Sequence, residues 1–303
     1  MPLRIAITGS TGMVGKAICA YFQEQGCEIS PLLRPSTKGA PSSEKSIPWD
    51  SQKGWIDLPQ LEGCDVLIHL AGANISARRW TPKYKKLIYD SRVESTKLLQ
   101  KSILNLKNPP KVWFCASAVG IYGHHSPQEI LDESSPLGQD FLAQVCRDWE
   151  AASVLNRDDI RVINLRFGMI LEKSGGALAK MLPVFRLGLG GPIGNGCQMI
   201  SWVALKEIPL IVEHIINNEK LSGPINVVSP EAVSNREFTK VLGGVLKRPA
   251  VLPVPALAIK LIFSEMGKSL LLNGAKVFPQ RLMDSGYFFK YSNIQFALEK
   301  IVS

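Results

Sequence analysis

Three glycines near the amino terminus have the spacing of a phosphate-binding turn. Gly9, Gly12 and Gly15 follow the strand-like run 4–8 and precede residues with helical periodicity, in the pattern G-x-x-G-x-x-G. Glycines placed in this way let backbone amides approach a pyrophosphate at the positive end of a helix. The pattern predicts a dinucleotide site, and the alternative is a tight turn that holds no ligand.

The end of the second predicted strand indicates which dinucleotide binds. A carboxylate there would accept hydrogen bonds from the ribose 2′-hydroxyl of NAD, whereas an arginine accommodates the 2′-phosphate of NADP. The chain reads Leu32-Leu33-Arg34-Pro35, without an acid, and Lys38 follows closely. We therefore expect Leu33 and Arg34 to line the site and NADP(H) to be the cofactor. The alternative for Arg34 is a solvated surface side chain.

The elements that must position these residues alternate between strand-like runs and helical patterns, which is typical of a parallel sheet covered by helices. We predict an α/β fold, a Rossmann-type doubly wound parallel sheet with a smaller C-terminal substrate domain. Residues 1–170 form the predicted NADP-binding domain, to which a segment near 200–230 returns, and residues 171–303 form the substrate-binding domain. The strands are predicted at 4–8, 28–33, 66–70, 112–116, 161–167 and 224–228, and the main helices near 14–26, 82–105, 141–156 and 206–217.

The composition narrows the class of protein. Hydrophobic residues make up 46% of the chain and charged residues 20%, and no uninterrupted apolar run is long enough to span a membrane. The six cysteines include no C-x-x-C pair, so we expect free thiols and no metal site. The first residues lack the order of a signal peptide. We therefore expect a cytoplasmic protein.

The net charge of +9 could indicate nucleic acid, a membrane surface or an acidic small molecule as the partner. The lysines and arginines are spread along the chain, and no nucleic-acid-binding motif accompanies them. We therefore expect an anionic small-molecule substrate and neither a nucleic-acid nor a membrane partner. The oligomeric state stays open.

Three further segments carry a resemblance to a known family. They are His69-Leu70-Ala71-Gly72 with Asn74, the stretch from Asp140 to Glu150, and Phe185-Arg186-Leu187-Gly188-Leu189-Gly190-Gly191-Pro192. Together with the glycine turn, they resemble the atypical extended short-chain dehydrogenases known as epimerase-family or cell-division-inhibitor-like proteins. The resemblance runs the whole length of the chain, and 188–202 is its most specific part.

The resemblance implies roles for a set of cofactor and substrate residues. It implies that the pyrophosphate is held by Gly9, Thr11, Gly12, Met13, Val14 and Gly15. It implies that Arg34 meets the 2′-phosphate and that Leu70, Ala71 and Gly72 line the adenosine side. It also implies that Arg92 reaches the cofactor, and that the chain from Arg166 to Ile170 passes near the nicotinamide. The residues expected to line the substrate pocket are Asn74, Gly190, Gln198, Ser201 and Trp202.

Two departures from the superfamily's pattern bear on the chemistry. Reducing and epimerising members use a Tyr-x-x-x-Lys pair to exchange a proton, and here Phe141 and Val145 stand in its place. The family that this chain resembles shares the loss. In addition, the stretch 202–207 stands where the family tends to carry a histidine and two aspartates.

Two residues are candidates for replacing the missing acid. Ser117 lies one position from the superfamily's catalytic serine, and the alternative is a strand-end serine bonded to backbone. Tyr122 could act as the acid, although that position usually packs. The leading function is an NADP(H)-dependent oxidoreductase or epimerase acting on a small, sugar-nucleotide-like substrate. The alternative is a non-catalytic NADPH-binding sensor or regulatory protein.

Overall fold

The structure, a computed structural model, describes residues 2–34 and 46–303. Lys38 lies outside the described residues. The strands are β1 (Arg4–Thr8), β2 (Glu28–Leu33), β3 (Ile47–Asp50), β4 (Trp55–Ile56), β5 (Val66–His69), β6 (Val112–Ala118), β7 (Ile130–Leu131), β8 (Arg161–Phe167), β9 (Met169–Leu171), β10 (Met199–Ile200), β11 (Trp202–Ala204), β12 (Gly223–Val227), β13 (Val233–Ser234) and β14 (Lys276–Val277). The α-helices are α1 (Met13–Glu24), α2 (Leu58–Leu61), α3 (Pro82–Leu104), α4 (Phe141–Ala152), α5 (Gly176–Arg186), α6 (Ile208–Asn217), α7 (Asn235–Leu246), α8 (Ala256–Gly267), α9 (Gln280–Asp284) and α10 (Ile294–Val302).

The main sheet has the strand order β12-β8-β6-β5-β1-β2-β3-β4. All neighbouring strands run parallel except β3 and β4, which are antiparallel. The chain leaves β1 to build β2 on one side and later returns to add β5 on the other. In such sheets the ligand lies outside the carboxyl ends of the strands where the winding reverses. The site is therefore expected above β1 and β5, where the glycine turn begins.

Both faces of the sheet are buried, because successive strand residues point to opposite sides. Val112 and Phe114 of β6 pack in the cluster that contains the apolar faces of α1 and α6. Trp113 of the same strand packs with residues of α3, including Leu99 and Ile103. The Rossmann-type doubly wound fold predicted from the sequence is confirmed.

The C-terminal part of the chain has its own apolar cluster. Side chains of α5, α7 and α10 pack together there, among them Leu178, Phe238 and Leu298. One later segment belongs to the main sheet instead, since β12 pairs in parallel with β8. Within the described ranges, no helix is both long and apolar enough to cross a membrane.

Candidate functional site

The glycine turn lies against the end of β5 and leads directly into α1. Gly9 has φ of +70°, and a Cβ there would lie 3.0 Å from the carbonyl carbon of Leu70. A Cβ at Gly15 would lie 2.2 Å from the carbonyl oxygen of Gly9, so only glycine lets the helix pack this closely on the turn. Gly12 precedes α1 without a side-chain cap. The first-turn amides of α1, beginning with Met13 and Val14, therefore have no side-chain acceptor.

A buried hydroxyl in the turn supports an anion at this position. Ser10 is 9% exposed, and its Oγ has no hydrogen-bond partner among the described residues. A buried polar atom normally has a partner, because leaving one without a bond costs about 1–3 kcal/mol. The uncapped amides and this hydroxyl together fit a bound pyrophosphate.

A buried polar cluster fixes the chain that leaves β5. Thr8 Oγ1 accepts hydrogen bonds from the amides of Leu70 (3.0 Å) and Ala71 (3.2 Å) and lies 2.7 Å from His69 Nδ1. Since this hydroxyl already accepts two bonds, it donates its hydrogen to Nδ1, and His69 Nε2 then donates to Ser95 Oγ at 3.1 Å. Burial, aided by the charge of Arg92, lowers the pKa of His69 to about 3. The imidazole is therefore neutral.

Two neighbouring residues of α3, Ser91 and Arg92, contact the loop after β5. Ser91 Oγ accepts a hydrogen bond from the amide of Ala73 at 3.0 Å. The guanidinium of Arg92 lies beside Gly72, where a Cβ would come within 3.2 Å of its Cζ, and it stacks 5.1 Å from the ring of Trp149. Ser91 and Arg92 therefore hold in place the loop after β5, which the family resemblance puts beside the adenosine of the cofactor.

Arg34 is exposed and follows β2 directly. Arg34 lies two residues after Leu32, which is paired with Thr8, the last residue of β1 before the glycine turn. The same edge of the sheet therefore presents a cation beside the turn.

The start of α5 also lies at the glycine turn, which the sequence did not indicate. A Cβ at Gly175 would lie 2.7 Å from Met13 Sδ, and one at Gly176 would lie 3.5 Å from the carbonyl oxygen of Ile170. Ile170, predicted to line the cofactor site, therefore comes close to the beginnings of α1 and α5. The paired glycines were a visible signal, but the sequence did not reveal what they contact.

Ser117 and Tyr122, the candidate acids, belong to a buried polar network. Ser117 Oγ donates to Glu150 Oε1 at 2.7 Å, and Arg166 forms two bonds with the same carboxylate, at 2.8 and 2.9 Å. Arg166 Nη1 donates to the Tyr122 hydroxyl at 2.8 Å, which in turn donates to Asn226 Oδ1 at 2.8 Å. The network joins the carboxyl ends of β6, β8 and β12.

Burial decides the protonation states in this network. Tyr122 is fully buried and Ser117 is 3% exposed. Burial raises the pKa of Tyr122 to about 12 despite the nearby Arg166 charge, so the phenol keeps its proton. Although burial alone would lower it, the hydrogen bonds and charge of Glu150 raise the pKa of Arg166. Arg166 therefore keeps its charge beside the Glu150 carboxylate.

Phe141 and Val145, which stand in place of the usual tyrosine and lysine, pack in one small apolar cluster, and an ammonium group lies beside Phe141. The Phe141 ring packs edge-on against Trp80 at 5.3 Å, and Lys85 Nζ lies 4.6 Å from its centre. Val145 is 1% exposed. Lys85 also pairs with Glu265 of α8 at 2.5 Å. Neither Phe141 nor Val145 can donate a proton.

The predicted substrate residues fall into two groups. In the first group, Asn74 Oδ1 accepts a hydrogen bond from the amide of Ser76 at 2.9 Å. Lys180 of α5, which was not predicted to lie here, donates a hydrogen bond to Ser76 Oγ at 3.0 Å. Gln198, Ser201 and Trp202 are buried, and their side chains bond to main-chain carbonyls of Leu271 (2.8 Å), Ala275 (2.9 Å) and Glu231 (2.7 Å). Gly190 lies under the ring of Phe185.

Comparisons with known proteins agree with this geometry. Residues 5–173 match the NAD dependent epimerase/dehydratase family, and residues 254–301 match a domain of unknown function (DUF1731). The epimerase family protein SDR39U1 of Homo sapiens is 35% identical over 304 residues, covering 99% of this chain and 100% of its own length.

Two solved structures are also similar. A crystal structure of human epimerase family protein SDR39U1 (isoform2) with NADPH has a TM-score of 0.89 and 33% identity, with 99% of each chain covered. A nucleoside-diphosphate sugar epimerase from Corynebacterium glutamicum has a TM-score of 0.79 and 34% identity, with 100% of this chain and 58% of that chain covered. Both share the fold over the full length of this chain.

Proposed function

Since the chain belongs to the NAD-dependent epimerase/dehydratase family, we propose that it is an NADP(H)-dependent oxidoreductase or epimerase of the extended short-chain dehydrogenase type. Its substrate is a small, sugar-nucleotide-like molecule. The observation that carries the proposal is the uncapped start of α1 beside the buried, unbonded Ser10 hydroxyl, at the point where the sheet reverses its winding. A bound nicotinamide dinucleotide supplies or accepts a hydride.

The proposed cofactor residues lie on the glycine turn and on the chain segments beside it. The backbone of 9–15 holds the pyrophosphate, and Leu70, Ala71 and Gly72 line the adenosine side with Arg92 behind them. Arg34, with Leu33 before it, meets the 2′-phosphate that distinguishes NADPH from NADH. The NADPH in the human relative's structure supports this choice.

Binding measurements with Arg34→Ala test the choice of cofactor. One charge-assisted Arg–phosphate contact is worth on the order of 2 kcal/mol, so the variant should bind NADPH roughly thirtyfold more weakly and NADH unchanged. Arg34→Lys should lose part of this affinity, because lysine keeps the positive charge but cannot form two parallel hydrogen bonds to the phosphate as a guanidinium does. Lys220→Ala, at the amino end of β12, removes a cation far from the turn and should have no effect. Equal wild-type affinities for NADH and NADPH in titration calorimetry would refute the assignment.

The substrate end of the site is bounded by polar groups from two sides. Asn74 and Ser76 lie on the loop after β5, and Lys180 of α5 bonds to Ser76 across the gap. An ammonium group with neighbouring amide and hydroxyl groups suits an anionic substrate such as a nucleoside diphosphate sugar. The similarity to a nucleoside-diphosphate sugar epimerase supports this class.

Proton transfer needs a different group from that of the superfamily, since Phe141 and Val145 cannot exchange protons. Ser117 and Tyr122 remain the candidates. The Tyr122 hydroxyl keeps its proton and donates a hydrogen bond to Asn226 inside the network. Tyr122 can therefore act as an acid only if this hydrogen bond is replaced by one to the substrate. General acid catalysis typically contributes roughly 10²–10⁴-fold, so we expect slow turnover of ordinary epimerase substrates.

A second candidate function is supported by the burial of the same groups. A protein that binds NADPH without turning over a substrate needs no accessible acid, and both Ser117 and Tyr122 are closed off in a network bonded to Glu150 and Asn226. In this alternative the protein is a sensor or regulatory protein that responds to NADPH.

Single-turnover measurements separate the two functions. The NADP⁺-loaded and NADPH-loaded protein is mixed with UDP-sugars, and nicotinamide absorbance and product epimers are followed. The enzyme hypothesis predicts a stoichiometric change that Ser117→Ala or Tyr122→Phe slows at least tenfold. The control Tyr21→Phe, which removes a hydrogen bond to Glu213, should have no effect. NADPH binding without any change on any UDP-sugar supports the sensor instead.

A further inference from the structure

A cavity lies away from the glycine turn, in the C-terminal part of the chain. It has a volume of about 420 Å³, within the range of about 300–1,000 Å³ typical of small-molecule sites. Its lining residues include three cations and no carboxylate. They are Pro192, Arg236, Thr239, Lys240, Gly243, Gly244, Arg248, Ala250 and Val251.

The three cations line one cavity because of the local packing of α7. Arg236, Thr239, Lys240 and Gly243 recur at the spacing of one helix face. A Cβ at Gly243 would lie 2.7 Å from the Cβ of Ala250, so glycine lets the segment carrying Arg248 lie directly on the helix. Residues from two sides of the cavity therefore face each other.

The positive charge in this cavity is not neutralised by the protein. Arg236 donates to the carbonyl of Asn195 at 2.9 Å, and Arg248 donates to that of Arg186 at 3.0 Å. Within ranges 2–34 and 46–303, neither arginine nor Lys240 forms an ion pair. Carbonyls hold the two arginines in place and leave their charge for an anion.

A buried hydroxyl points to what the cavity holds. Thr239 is 2% exposed, and its Oγ1 has no hydrogen-bond partner in the described part of the chain. A buried hydroxyl without a bond is costly, and a phosphoryl oxygen would accept its hydrogen. We propose that this cavity binds a phosphoryl group, held by Arg236, Lys240 and Arg248 and by the Thr239 hydroxyl. This site is separate from the proposed cofactor site and does not depend on it.

Gly244 offers a direct test, because a Cβ placed there meets no atom within 4 Å. Gly244→Glu adds a carboxylate beside the cations, and Gly244→Gln adds the same bulk without the charge. With inorganic pyrophosphate as the probe in titration calorimetry, we expect the glutamate variant to bind at least about tenfold more weakly than the glutamine variant. Equal affinity in the two variants would overturn the proposal.

Charge and hydroxyl variants locate the contact further. Lys240→Gln should weaken pyrophosphate binding about tenfold, whereas Lys260→Gln, which removes the same charge from exposed α8, should not. Thr239→Val should bind pyrophosphate more weakly and yet unfold at a higher temperature without it, because the unbonded hydroxyl is gone. If Thr239 only packs in the core, Thr239→Val would change the unfolding temperature and leave pyrophosphate binding unchanged. Equal losses with Lys240→Gln and Lys260→Gln would mean a diffuse surface effect and refute the site.

The source of the phosphoryl group is distinguished by a vesicle experiment. Phosphatidylcholine vesicles containing phosphatidic acid are sedimented with the wild-type protein and with Gly244→Glu. If only the wild-type protein sediments with the vesicles, and pyrophosphate releases it, the phosphoryl group belongs to a lipid headgroup. Pyrophosphate binding without retention assigns it to a small metabolite. The absence of both pyrophosphate binding and retention overturns the proposal.

Discussion

Replacing Glu150 by alanine should destabilise the protein strongly, because it leaves the Arg166 guanidinium buried without its carboxylate. The two side chains are 13% and 4% exposed, and two hydrogen bonds of 2.8 and 2.9 Å join them. Removing one partner of a buried ion pair costs about 3–5 kcal/mol. Ser117 also loses its acceptor. We therefore expect the free energy of unfolding to fall by about 3–5 kcal/mol.

Urea unfolding followed by tryptophan fluorescence measures this loss, and a double-mutant cycle identifies its cause. Glu150→Met and Arg166→Met should each be destabilising on their own, since each leaves the partner's charge buried without its counter-charge. The pair Glu150→Met with Arg166→Met should recover most of the loss, because an apolar pair of similar volume needs no partner charge. A loss below about 1 kcal/mol for Glu150→Ala would refute a dry, coupled ion pair.

Three further predictions concern other parts of the molecule. The pKa of His69 is lowered to about 3, so below about pH 6.5 the unfolded chain binds a proton that the folded protein does not. This contribution to the free energy of unfolding is therefore complete above about pH 7 and decreases by up to about 1.4 kcal/mol per pH unit toward pH 3. Urea titrations at several pH values should show a smaller pH dependence for His69→Gln. Lys247 has φ of +53°, so Lys247→Gly should raise the free energy of unfolding by about 1 kcal/mol and Lys247→Ala should not. Gly15→Ala should weaken NADPH binding at least about tenfold in calorimetry, while Gly244→Ala, with open space around its Cβ, leaves it unchanged.

Local patterns in the sequence were enough to predict the sheet and the glycine turn. The predicted strands 4–8, 28–33 and 161–167 coincide with β1, β2 and β8, because each is a short apolar run bounded by turn residues. Adjacent residues alone were enough to predict the turn at Gly9, although the folded turn also packs against Leu70. The family resemblance is confirmed by the comparisons.

Contacts between distant residues could not be predicted in this way. Tyr122 and Asn226 are 104 positions apart, and nothing local to either indicates the other. The contact of Gly175 with Met13 and the bond from Lys180 to Ser76 likewise depend on how α5 returns over the sheet. Gln198, Ser201 and Trp202 looked like pocket residues because polar and aromatic types occur in pockets and in buried corners alike. Their roles in binding stay predictions.

The late arrival of β12 has a consequence for how the protein is made. Residues 223–227 complete the edge beside β8, and Asn226 completes the network around Tyr122, so neither can form until the ribosome has passed that point. A nascent chain ending near residue 173, where the family match stops, exposes the unpaired edge of β8 and a tyrosine without its acceptor. Such an intermediate is prone to pair with other chains. We therefore expect the family-matched region, expressed without residues 223–227, to be more prone to aggregation than the full chain.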